Sequence, residues 1–141
     1  MENEYDKPAT FFRFEDLRIY HKALEYVDWV YLMAKNTQND PFMESYFQRF
    51  LVSAKGIPLN IAEGSSRNKS QFVYYLKMAK SSVRECVVLA TIGKSRGFIS
   101  APAFDDSKNH LMELTKMIGA LIGSLQRRVK PGELDDEDGP D

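Results

Sequence analysis

Four apolar stripes at helical spacing constrain this chain more than any other feature. The first runs Leu17, Tyr20, Leu24, Val27, Tyr31, Ala34, with alternating steps of three and four residues. The second runs Met43, Phe47, Phe50, Ala54, Ile57, Ile61. The third runs Phe72, Leu76, Ala79, Val83, Cys86, Ala90, Gly93, and the fourth Leu111, Leu114, Ile118, Leu121, Leu125. Side chains three and four apart share one face of an α-helix, so each stripe predicts an amphipathic helix. Strand-like alternation of any length is absent. The fold class is all-α.

Punctuation between the stripes fits this reading. The stretch NTQNDP at 36–41 separates helices one and two. Gly64 stands where a left-handed residue would close helix two, and Gly97 where one would close helix three. Asn68 followed by Gln71 has the spacing of a capping box. Ser100 and Pro102 can open helix four, and Lys130-Pro131-Gly132 ends it. Short connections force successive helices antiparallel. An up-down-up-down antiparallel four-helix bundle is expected over residues 14–130. It lies between a flexible N-terminal segment, 1–13, and a disordered acidic tail, 131–141.

With 141 residues the chain suits one domain with its own core. No apolar run is long enough to span a bilayer, and the polar, acidic start has no signal-peptide core. A cytoplasmic protein without a membrane partner is expected. One cysteine, Cys86, excludes an internal disulfide, and His21 and His110 lack the spacing of paired ligands on one helix. No metal or cofactor is expected. Cys86 falls on a core stripe and reads as a small buried apolar residue.

Net charge is −1, but its distribution is uneven. The tail PGELDDEDGPD carries six acids and no bases. Residues 49–96 carry nine bases against Glu63 and Glu85 alone. Lys77, Lys80 and Arg84 share one stripe of helix three, preceded by Arg67 and Lys69 at its N-terminus. Tyr74 and Tyr75 are close enough to stack on bases. Clustered positive charge beside aromatic rings is what phosphate backbones recruit, so Arg67, Lys69, Tyr74, Lys77, Lys80 and Arg84 form a candidate nucleic-acid site. A merely solvated helix face has the same composition.

Apolar residues also lie beside the main stripes: Tyr26, Trp29, Val30, Tyr46, Leu51, Leu59, Tyr74, Val88, Met112, Met117 and Ile122. Some widen the core-facing side, and the excess points to a second buried face between subunits.

The stretch GIPLNIAEG at 56–64 is unusual for a helix. Pro58 cannot donate to the Ala54 carbonyl, so a loosened turn is expected there, with Asn60 bonding freed backbone. Residues 57–64 closely resemble the I-P-x-N-I-A-E-G core of the 23S rRNA-intervening-sequence proteins. Phe14-Glu15-Asp16-Leu17 is similar to that family's opening of helix one. Ala79, Ser82 and Glu85 are similar to its A-x-G-S-x-x-E run, and Gly97-Phe98-Ile99 to its G-Y-I. Gly56 stands where the family has serine. The resemblance spans about residues 14–128 and marks Pro58, Asn60, Glu63, Gly64, Ser82 and Glu85 as family-motif positions.

The resemblance implies a four-helix bundle assembled as a homopentamer, with no enzymatic activity. It also implies kinship with the accessory variability determinant protein of diversity-generating retroelements. That kinship makes RNA, DNA, a reverse transcriptase or another protein the expected partner. A Glu63–Glu85 pair is a weak candidate for acid–base work, since antiparallel helices need not bring the two level and no nucleophile accompanies it; a hydrolase using Glu63 or Glu85 is the weakest alternative. Hydrogen bonding of Ser82 and Glu85 within the bundle or across subunits is expected instead. A non-enzymatic, homo-oligomeric, nucleic-acid-binding bundle is the expected function. A protein-interaction scaffold without nucleic-acid affinity is the alternative.

Overall fold

The computed structural model of the protein describes residues 11–127, apart from 36 and 38. A 3-10 turn, Arg13–Asp16, leads into helices α1 (Arg18–Ala34), α2 (Pro41–Ser65), α3 (Lys69–Ser95) and α4 (Ala101–Arg127). Among the described residues there is no strand. Each helix packs on its neighbours in sequence, α1 also packs on α4, and the backbones of the diagonal pairs stay apart. That is the contact pattern of a four-helix bundle. The acidic tail expected at 131–141 lies outside the described residues, as do residues 1–10 of the expected N-terminal segment.

Local chemistry sets the helix ends. Asp40 caps α2, accepting from the backbone N–H groups of Phe42 at 3.0 Å and Met43 at 3.2 Å, with Pro41 in the first helical position. Asn68 caps α3 by accepting from Gln71 N–H at 2.9 Å. Ser100 caps α4 through Ala103 N–H at 3.2 Å. Gly97, at φ 75°, closes α3 in a Schellman turn. Phe98 N–H reaches the Gly93 carbonyl at 2.8 Å, and Gly97 N–H reaches Lys94 at 3.1 Å.

Three expectations need correction. The stretch Phe14–Leu17 does not open α1. Leu17 is extended, so its neighbours form a separate 3-10 turn, and His21 Nε2 donates to the Glu15 carbonyl at 2.7 Å. Second, α1 is rotated relative to its expected stripe. Ile19, Ala23, Tyr26, Val27 and Val30 are buried, whereas Leu24 and Tyr31 face outward. Third, Gly64 does not end α2 in a left-handed conformation; it lies inside the helix and is buried. A Cβ there would stand 2.7 Å from Tyr75 Cβ and 2.9 Å from Phe72 Cδ1. The glycine permits close approach of α2 and α3 rather than a turn.

The core is filled by Phe47, Phe50 and Ile57 of α2, Leu76 of α3, and Leu114 and Ile118 of α4. Each buried side chain of this size contributes about 1.5–3 kcal/mol of transfer free energy. One polar link crosses the core: Tyr26 Oη and Ser107 Oγ lie 2.8 Å apart, both buried. Burial pushes the Tyr26 phenol well above its ordinary range. Tyr26→Phe strands the Ser107 hydroxyl and should cost about 1–2 kcal/mol, read by urea denaturation. An unchanged midpoint would show that Ser107 finds another acceptor.

Cys86 is fully buried on α3. Burial, helped by the Glu85 charge, pushes its thiol up to about 12 from 9.0. The folded protein should therefore react with a thiol reagent at pH 8 roughly a thousandfold more slowly than the urea-unfolded chain. Its folded value lies above the unfolded one, so this contribution to stability is complete below pH 9 and is lost towards pH 12. Comparable native and unfolded rates would contradict the burial.

Candidate nucleic-acid interface

The seam between α2 and α3 positions most of the sequence-predicted residues. Gly56 faces Ser82, Gly64 faces Phe72 and Tyr75, and Ser53 faces Glu85. Partners descend α2 as they climb α3, which fixes an antiparallel register. α2 runs on through Pro58 to Ser65. Asn60 Nδ2 donates to the Gly56 carbonyl at 2.8 Å, adding a side-chain bond in the turn that Pro58 interrupts. The expectation that Asn60 bonds local backbone holds, although its partner is Gly56 rather than Ala54.

The two motif carboxylates serve different ends of the seam. Glu63 takes both Arg67 Nη2, at 2.7 Å, and Arg67 Nε, at 3.2 Å. Glu85 accepts from Ser53 Oγ at 2.7 Å and lies 3.4 Å from Arg49 Nη2. Arg49 also donates to Ser53 Oγ through Nη1. The seam register puts Glu63 level with about Tyr75, ten residues or ~15 Å along α3 from Glu85. The carboxylates do not face each other, and each sits beside an arginine. Ser82 does not join Glu85; it packs against Gly56, where an added Cβ would meet its Oγ at 2.6 Å.

The basic residues are not equivalent. Tyr74, Lys77, Ser81, Arg84 and Val88 run down the outside of α3 at steps of three and four. Tyr74 is 56% exposed and meets Tyr75 edge-on, with ring centroids 5.2 Å apart. Arg84 is exposed and donates to Ser81 Oγ at 3.2 Å. Lys69, in the first position of α3, is exposed, while Lys77 and Lys80 are half-buried. Arg67 is spoken for. Its guanidinium lies 5.2 Å from the Tyr75 ring centre, and the hydrogen bond to Glu63 raises its pKa above the ordinary range.

Two basic residues were missed by reasoning from helix three alone. Lys108 and Lys116 of α4 flank a groove floored by Val87, Leu111 and Met112. Their apposition to α3 depends on helix packing, and only their charge was visible beforehand. With them, the α3–α4 half, residues 69–127, holds nine bases and four acids, a net of +5. The α1–α2 half, residues 18–65, holds five of each, a net of zero. The Arg49–Ser53–Glu85 cluster was missed for the same reason.

The family model for the 23S rRNA-intervening sequence protein matches residues 15–120. The chain belongs to this family. A search of curated proteins finds no match. The match spans α1, α2, α3 and most of α4, so the Pro58–Gly64 block and the α3 stripe are both inside the 23S rRNA-intervening sequence protein region. Among the described residues no helix is long and apolar enough to cross a membrane. Nor do three or more His, Cys, Asp or Glu side chains converge there as metal ligands.

Proposed function

We propose that this 23S rRNA-intervening sequence protein is a non-enzymatic, homo-oligomeric bundle that binds nucleic acid on its α3–α4 half. The carrying observation is the charge asymmetry: +5 on that half and zero on the other. Lys69, Arg84, Lys108 and Lys116 are exposed there, and the Tyr74 ring is available to stack on a base. Arg67 contributes less than its charge implies, because Glu63 holds it.

Self-association is supported by two separate apolar patches on the bundle. One is the groove between α1 and α2, where Leu24 and Leu59 line the wall. The other is on α3, where Val88 is 58% exposed. Two different patches suit head-to-tail contact, which closes a ring when the rotation permits. A pentamer is the ring size that the family resemblance implies. Packing answers part of the apolar excess: Tyr26, Val30 and Ile122 belong to the core, whereas Leu59, Tyr74, Val88 and Met112 remain exposed.

The test is a salt titration of binding to single-stranded RNA, single-stranded DNA and duplex, with mass from light scattering on the same sample. Salt-sensitive binding by a ring supports the proposal. A ring without affinity for any of them at low salt favours the scaffold, for which the exposed Val88 and Leu59 are the supporting observation. A monomer overturns the oligomer.

A further inference from the structure

We infer that the α3–α4 groove is the docking site of the chain's own acidic segment, residues 131–141. The groove has a volume of roughly 250 Å³ and an apolar floor, with Lys108 and Lys116 at its edges. Among the described residues neither lysine has an ion-pair partner. Glu113, between them in sequence, is turned the other way and held by Lys22 at 3.1 Å. The groove thus presents two cations around an apolar strip.

The segment Glu133-Leu134-Asp135-Asp136-Glu137-Asp138 has the complementary pattern: one leucine among five acids. Leu134 fits the apolar floor while the flanking carboxylates meet the two lysines. Position favours the contact. α4 ends at Arg127, eleven residues or ~17 Å beyond Lys116 and nineteen residues or ~29 Å beyond Lys108. A stretch as long as residues 128–141 can span up to ~50 Å, ample for a return path, and Pro131-Gly132 is a pair suited to a reversal. Tethering raises the effective concentration of such a segment into the millimolar range, so a weak contact suffices. Other lysines compete poorly. Lys22, at the α1–α4 seam, is engaged by Glu113 and Glu25, and Lys55 of α2 lies 5.4 Å from the Tyr31 ring centre.

The docking requires no nucleic acid, so it stands or falls separately from the proposed function. It is tested on the full chain by zero-length carbodiimide cross-linking, with the products mapped by mass spectrometry. At low salt, links from residues 133–138 should fall on Lys108 and Lys116 at least threefold more often than on Lys22 and Lys55. Leu134→Ser keeps every charge and should lower the Lys116 yield at least threefold. Links spread evenly over all four lysines overturn the inference. So does a Lys116 yield indifferent to Leu134, because that would reduce the contact to unspecific attraction between opposite charges.

Discussion

Gly64→Val is expected to lower stability by about 3 kcal/mol, or roughly 10 °C in Tm. The neighbour of the new Cβ is itself a Cβ, that of Tyr75 at 2.7 Å, and a Cβ cannot rotate away from its own backbone. The Phe72 ring at 2.9 Å blocks the other side. α2 and α3 must therefore separate along a seam that also carries the Gly56–Ser82 contact and the Ser53–Glu85 bond. Gly119→Ala supplies the contrast. Nothing lies within 4 Å of a Cβ at that position, so the better helix former should add about 0.5–1 kcal/mol. Urea denaturation of both variants measures the difference. Two shifts of the same sign would show that close packing does not explain Gly64.

Changing Lys77, Lys80 and Arg84 together to glutamine should weaken binding to single-stranded RNA by roughly a hundredfold at 0.1 M salt. Each phosphate contact releases about 0.7 of a counterion from a single strand, so three lost contacts lower the salt slope by about 2. Arg84 is exposed and Lys77 and Lys80 are half-buried, so none of the three fills the core beside Leu76, Ala79 and Val83. A circular dichroism melt within a few degrees of the parent would confirm an intact bundle. An unchanged slope in a folded variant would remove this stripe from the interface and leave Lys69, Lys108 and Lys116 to be replaced next. An unchanged affinity after those further changes would sink nucleic-acid binding by this half of the protein.

Much of the architecture was legible because it is local. A helix needs only its own spacing of apolar residues and its own caps, and Asn68, Ser100 and Gly97 perform the roles their neighbours dictate. The α3 stripe from Tyr74 to Arg84 was likewise visible, since residues on one helix keep their relative directions wherever the helix packs. Its electrostatic weight was harder to judge. Arg67 counted as a site cation until the turn brought it back onto Glu63.

The sequence by itself determined four helices, the caps at Asn68, Gly97 and Ser100, and the basic residues of α3, because each depends on residues a few positions apart. Tertiary structure decided which side of α1 turns inward, since Leu24 and Tyr26 are both apolar and only the partner helices choose between them. It gave Gly64 a packing role instead of a cap, paired Glu85 with Arg49 and Ser53, and brought Lys108 and Lys116 alongside α3. All four outcomes depend on the rotation and register of one helix against another. Those follow from contacts many residues apart, which no periodicity within a single segment encodes.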